Sequence, residues 1–261
     1  MTEEFLRGTQ LIYRACNLLR LFTRQQPEWS LVEAAHQVGL HPATTYRILQ
    51  AWTREGILIQ DEATGKYRLG YWLLKLGELA RQSNDLIRIA TPHAEKLAEK
   101  TGETIIVDVL DRRMQVVTLV FVPSSFRMAT NPSYDKPTPA HVLAGGKVLL
   151  ADLEPEQLDD FLGRGLAAVT EKSTTDPEKL REELEKVRGQ GYATNFEEQE
   201  ISFNAVGAPI RDASGQVVAA LSIGGPSARL TQERMPELVA LVKESARLIS
   251  ADLGHEEARS P

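Results

Sequence analysis

Residues 30–69 read SLVEAAHQVGLHPATTYRILQAWTREGILIQDEATGKYRL, and this stretch decides the N-terminal fold. Ser30 with Glu33 three positions later is a capping box, so a helix starts near Leu31 with Val32, Ala35 and Val38 turned inward. Gly39 ends it. A second helix opens at Pro42, which loses nothing by lacking an N–H at the first helical position. Thr45, Ile48, Leu49 and Trp52 fall at i, i+3, i+4 and i+7 and form one apolar stripe, which leaves Thr44, Arg47, Ala51 and Arg54 facing away. After Gly56, residues 57–60 and 66–69 read as short strands around the turn Asp61-Glu62-Ala63-Thr64-Gly65. Helix, turn, helix and hairpin in that order spell a winged helix-turn-helix.

The outward helix face suits a major groove, because small residues at a helix N-terminus permit close approach and an arginine fork bonds guanine edges or phosphates. Lys66 and Arg68 on the wing reach for phosphates beside it. The candidate DNA contacts are Ser30, Ala43, Thr44, Thr45, Tyr46, Arg47, Arg54, Lys66 and Arg68. The plainer alternative is that Arg47 and Arg54 are ordinary solvated charges on a surface helix.

The chain has 261 residues, 42% hydrophobic and 25% charged, enough for two domains that each bury a core. No long apolar run and no secretory leader are present, and the single Cys16 cannot form an internal disulfide, so a cytoplasmic protein is expected. The net charge of −6 argues against general affinity for nucleic acid. Its distribution is more telling. Residues 1–83 carry 10 Lys and Arg against 8 Asp and Glu, while the remainder carries 20 against 28. The basic excess sits with the helix-turn-helix but is small, so DNA contact depends on geometry and on doubling by dimerisation.

Around this core the rest follows in order. Residues 8–24 place Leu11, Ile12, Ala15, Leu18, Leu19 and Phe22 at helical spacing, with Cys16 as a small apolar neighbour. Pro27 and Trp29 mark a break. Residues 71–82, YWLLKLGELARQ, form a connecting helix with an apolar side that needs cover, most economically from a second copy. Ser83 and Asn84 close it. The domains expected are residues 1–70 for the winged helix, 71–83 for the linker, 84–253 for an effector-binding domain and 254–261 for a disordered tail.

The second domain opens with a helix over residues 85–100, interrupted near Pro92. Strands follow at 104–110 and 115–122. Residues 123–140 form a long loop with Phe126, Met128 and Tyr134, of the length that makes a lid or binding loop. A helix over 141–151 carries Gly145 and Gly146 near its start, and acidic helices lie at 152–163 and 176–188. Strands at 192–196, 203–210 and 217–224 precede a closing helix from Thr231 to about residue 252.

These residues together resemble the IclR family of bacterial transcriptional regulators over nearly the whole chain. The likeness rests on ATTYRIL, YRLG and LLKLG in the N-terminal part, and on PTPAHVLAGGKVLLA, RGQGYATNFEEQE and AVGAPIRDASGQVVAALSIGGPSARLT in the C-terminal part. It implies an α+β chain: a winged helix-turn-helix, a linker helix and a GAF-like α/β domain. It implies a homodimer, often paired into a dimer of dimers, on double-stranded operator DNA beside metabolic genes. It also implies a small-molecule effector, an organic acid or aromatic compound.

Carried over position by position, the pocket is lined by Gly145, Gly146, Asn195, Ala205, Ser222 and Gly224. Phe121, Phe126, Met128 and Phe203 stand nearby. Amides at the Gly145-Gly146 helix start suit a carboxylate, although these glycines serve equally well to let the helix lie on the sheet. His141 is either an effector contact or a helix-start residue. Members that bind glyoxylate carry an acid, a Cys and two Ser where this chain has Asn195, Ala205, Ser222 and Gly224, so a larger or partly aromatic ligand is expected.

No catalytic set emerges, so the chain is not expected to be an enzyme. Lys147 follows Gly146, but a phosphate-binding loop needs Gly where His141 stands and Ser or Thr where Val148 stands. Ser124, Ser125 and Ser222 lie in no nucleophile elbow. The histidines at 36, 41, 93, 141 and 255 show no metal spacing, and no cofactor is called for. A second reading keeps the ligand-binding domain and treats the N-terminal domain as a dimerisation unit without DNA binding. Arg47, Lys66 and Arg68 speak against it.

Overall fold

A computed structural model of the chain describes residues 3–23, 25–126 and 138–256, with side chains from residue 9 onward. Met128, Tyr134 and most of the expected binding loop lie outside the described residues, as does most of the expected tail. Contacts divide the chain into two compact units between Ser83 and Asn84.

In the first unit, α1 (Glu3–Leu19) begins earlier and ends sooner than apolar spacing indicates. β1 (Glu28–Trp29) follows where sequence shows only a break. Two residues give no periodicity; β1 exists because it pairs antiparallel with β3. The Trp29 indole also donates to the Leu21 carbonyl at 2.9 Å. α2 (Leu31–Val38) has both bonds of its capping box, Ser30 Oγ accepting from the Glu33 amide and Glu33 Oε2 from the Ser30 amide. Gly39 ends it at φ 66, a left-handed conformation that suits glycine. Val32 does not point inward. It is 70% exposed, while Ala34 and Ala35 are buried, because the small residues let this short helix pack closely.

α3 (Pro42–Arg54) is capped by His41, whose Nδ1 accepts from the Ala43 amide. Thr45, Ile48 and Leu49 are its buried stripe. β2 (Leu58–Gln60) and β3 (Tyr67–Leu69) form the wing, giving a sheet ordered β1-β3-β2. α4 (Tyr71–Gln82) buries no residue.

The second unit is a five-stranded antiparallel sheet between helical layers. α5 (Asp85–Thr101) runs unbroken through Pro92, correcting the expected interruption. Its buried residues Ile87, Ala90, Ala94, Leu97 and Ala98 lie on both sides of the proline, so packing holds the helix across the lost bond. β4 (Thr104–Leu110) and β5 (Val116–Val122) form a hairpin. A 3-10 turn at Ala140–Val142 and an extended Leu143 precede α6 (Ala144–Ala151), so His141 belongs to the turn and not to the helix. α7 (Pro155–Leu162) and α8 (Pro177–Gln190) bury Leu158, Leu162, Leu180, Leu184 and Val187 beneath their acidic faces.

β6 (Ala193–Phe196), β7 (Phe203–Arg211) and β8 (Val217–Pro226) complete a sheet ordered β5-β4-β8-β7-β6. α9 (Met235–Asp252) starts four residues after Thr231, which only opens a turn that accepts from the Met235 amide.

Strand alternation sorts the two sheet faces. Ile105, Val107, Val206, Ala208, Ile210, Leu221 and Ile223 pack with α5 and α9. The opposite face, with Ala193 and Ala220, takes α6, α7 and α8. Every position that the resemblance assigns to the effector on these strands lies on that second face.

Candidate functional site

The first site is the outer face of α3 and the wing. Ala43, Tyr46, Arg47 and Arg54 are exposed and Thr44 is half-buried, so these five candidates share an accessible surface. Thr45 does not join them. It is completely buried and its hydroxyl turns back toward the His41 carbonyl at 3.3 Å, which leaves it no access to a duplex. The Ser30 hydroxyl is committed to capping α2.

Gln50 ties α3 to the wing by donating to the Tyr67 hydroxyl at 3.1 Å. At the wing tip Asp61 Oδ1 accepts from the Ala63 and Thr64 amides and the Thr64 hydroxyl, bonds that hold its carboxyl below the usual range. Gly65 completes the turn at φ 68. Lys66 and Arg68 flank it half-buried, with the Arg68 guanidinium 5.9 Å from the Tyr71 ring. The wing is therefore built rigidly enough to present two cations.

The second site is the α6 face of the large sheet. Register brings Asn195, Ala205 and Gly224 into one cross-strand row. The next row holds Phe121, Ile106, Ser222 and Gly207. The start of α6 lies on these rows. A Cβ on Gly207 would meet the Gly145 amide nitrogen at 3.1 Å and Ser222 Oγ at 2.8 Å. One on Gly146 would stand 2.0 Å from the Ala140 carbonyl oxygen, so here glycine is required by close packing.

The polar groups divide between those spent on the fold and those left open. Asn195 is fully buried and braced at both ends: its Nδ2 donates to the Val142 carbonyl at 2.7 Å and its Oδ1 accepts from the Glu198 amide at 2.9 Å. Gly224 lies under the Phe203 ring, whose Cζ is 2.6 Å from where a Cβ would be. Phe203, Ala144 and Ala205 form a small apolar cluster. His141 is buried, with Nε2 at 3.1 Å from the Ala167 carbonyl and Nδ1 without a partner among the described residues. Burial above all lowers its pKa, so the ring is neutral at pH 7. Ser222 is 5% exposed, and its hydroxyl has no partner among the described residues.

Two buried charges stand beside this face, neither of which the sequence reading placed there. Lys147 is completely buried, and its Nζ contacts Glu183 Oε1 at 2.6 Å, Glu198 Oε1 at 2.7 Å and the Thr194 carbonyl at 3.3 Å. Asp108 is 6% exposed on β4, and among the described residues its carboxylate has one hydrogen-bond partner, the Thr118 hydroxyl. The signal for Asp108 was available: it is the one charge in the apolar run TIIVDVL.

Comparison with known proteins matches both parts of the chain. A model described as the IclR helix-turn-helix domain matches residues 12–62, and one for the bacterial transcriptional regulator IclR C-terminal domain matches residues 79–251. The chain belongs to the IclR family. Among its relatives are the HTH-type transcriptional regulator KdgR of Escherichia coli, 33% identical over 89% of each chain, and the acetate operon repressor of Salmonella typhimurium, 31% identical over 94% of this chain and 90% of the relative.

A putative IclR regulator from Silicibacter has a similar structure, with TM-score 0.85 and 25% identity over 95% of this chain and 98% of that one. An IclR homologue from Microbacterium hydrocarbonoxydans, complexed with 4-hydroxybenzoate, has TM-score 0.78 and 28% identity over 93% and 98%. As an IclR protein, the chain is a DNA-binding transcriptional regulator with a C-terminal ligand-binding domain. Among the described residues no helix is long and apolar enough to cross a membrane.

Proposed function

We propose that this IclR protein binds palindromic operator DNA as a homodimer, paired into a dimer of dimers, and controls metabolic genes in answer to an organic or aromatic acid. Arg47 reads a base pair from α3, and Lys66 and Arg68 hold phosphates. Catalysis plays no part, and the working compartment is the cytoplasm.

The observation that carries the effector half is the unpartnered, buried Ser222 hydroxyl on a glycine-lined face of the sheet. An orphan buried hydroxyl costs free energy that a bound ligand recovers. Asn195 is already satisfied, Ala205 has no polar atom, and Phe203 covers Gly224, so a very small acid finds few hydrogen-bond partners here. A larger, partly aromatic acid suits the apolar lining better. The Microbacterium relative, with 4-hydroxybenzoate bound, supports that choice of class.

Dimerisation is supported by apolar surface left bare on the first unit. Leu11, Ile12 and Tyr13 of α1 and Trp72, Leu74, Leu76 and Leu79 of α4 are all exposed. The function is tested by a mobility shift on the chain's own upstream DNA, with and without acids that raise its melting temperature. An aromatic acid that raises the melting temperature and alters the shift is the expected result. Tight binding of glyoxylate with none of aromatic acids overturns the ligand class.

A further inference from the structure

Gln50 follows Arg47 by three positions on α3, about one helical turn further along and on the same outward side. A glutamine there is a natural reader of adenine, whose major-groove edge accepts from the amide nitrogen and donates to the amide oxygen. The structure spends this one differently. Its Nε2 donates to the Tyr67 hydroxyl at 3.1 Å and to Gln60 Oε1 at 3.4 Å, so both amide protons have acceptors within the protein.

The groups that receive these bonds belong to the wing. Tyr67 is 2% exposed, its ring enclosed with Leu49 of α3 and Leu58 of β2, and a phenol set so deeply needs a partner for its hydroxyl. Gln60 stands directly opposite Tyr67 in the pairing of β2 with β3. Its Nε2 donates onward at 3.1 Å to the carbonyl of Gly65, the residue before Lys66. One chain of hydrogen bonds therefore runs from the outward side of α3, across the base of the wing, to its tip. β2 and β3 have three residues each, and a hairpin that short holds a fixed place only when the rest of the domain braces it.

We propose that Gln50 is a positioning residue for DNA binding: it reads no base, and through Tyr67 and Gln60 it holds the wing so that Lys66 and Arg68 meet phosphates while Arg47 lies in the groove. The inference rests on the reading of those three cations as DNA contacts. A residue that reads a base changes the ranking of sequences. One that sets the wing changes how many phosphates are held, and with that the salt dependence.

Fluorescence anisotropy tests it with the full chain, a duplex from its own upstream DNA, single base-pair variants of that duplex and a salt series. Gln50→Leu breaks the hydrogen-bonded chain from α3, and Tyr67→Phe breaks it from β3 without altering α3. Each should weaken binding roughly three- to tenfold, lower the salt slope by about one and leave the ranking of the duplexes as it was. In a Lys66→Ala/Arg68→Ala background, Gln50→Leu should cost about twofold or less, because the wing has nothing left to position. Should Gln50→Leu fail to fold, Tyr67→Phe is read by the same criteria. A changed ranking makes Gln50 a reader and overturns the inference. An undiminished cost in the doubly substituted background, or an unaltered salt slope in the single variants, overturns it too and spares the reading of the wing cations. If Lys66→Ala/Arg68→Ala binds as tightly as the parent chain, that reading falls, and this inference with it.

Discussion

Asp108 and Lys147 are two charges taken out of water, and the fold treats them differently. Lys147 receives two carboxylates and a carbonyl, so its burial is compensated. Removing it strands Glu183 and Glu198, of which Glu198 is already pushed up by burial. Lys147→Ala should therefore cost about 3–5 kcal/mol in urea unfolding. Asp108 has a single hydroxyl, and burial raises its carboxyl from 3.8 to about 6. The folded chain thus holds this proton more tightly than the unfolded chain. Stability from that preference is full below about pH 4 and is lost as pH rises through 6. Asp108→Asn should stabilise the protein at pH 7.5 by about 2–3 kcal/mol, and by almost nothing near pH 4. Paired denaturation curves at the two pH values check this, and a gain independent of pH would refute it.

At the scale of elements, α3 and the wing are placed by local chemistry and test separately. Arg47→Ala should weaken operator binding by about 1–3 kcal/mol and blur discrimination at one base pair. Lys66→Ala should weaken it evenly across sequences and lower the salt slope by about one. Fluorescence anisotropy over a salt series distinguishes the two, and unfolding of Arg47→Ala would show that its face of α3 is structural. Two helical glycines give a parallel contrast. Gly189 in α8 has nothing within 4 Å of a Cβ, so Gly189→Ala should raise stability by about 0.5–1 kcal/mol. Gly146→Ala meets the Ala140 carbonyl at 2.0 Å and should lower the melting temperature by forcing α6 off the turn before it.

At the scale of the whole molecule, α4 buries nothing by itself. Exposed Trp72, Leu74, Leu76 and Leu79 are costly in water, and the proposed homodimer would cover them. In the proposed homodimer, Leu74→Glu should shift the protein from dimer toward monomer in light scattering and weaken operator binding, because the two half-sites proposed for it are then no longer gripped together. An unchanged dimer would place the contact elsewhere. The acidic balance beyond residue 83 fits the same division, since only the first unit has to approach phosphates.

The local signals carried far. A capping box, a proline at a helix start and a left-handed glycine are decided within one turn of chain, so α2, α3, the wing turn and the β4–β5 hairpin could be read directly from residues. The winged helix and the second domain's alternating strands were legible for that reason. What lay beyond reach depends on partners distant in sequence. β1 needs β3 to exist, α5 crosses Pro92 because packing supports both halves, and Val32 faces water because the alanines beside it approach more closely. The site shows the same split. Glycines at 145 and 146 announced a close approach, and Thr45 already lay on the inward stripe of α3, whereas Asn195 is spent on the fold only because the Ala140–Val142 turn comes to lie within reach of β6, and Asp108 stands near Ser222 only because β4 pairs with β8. Hydrogen bonds and burial are settled by which strands come to lie side by side, and no single stretch of chain contains that information.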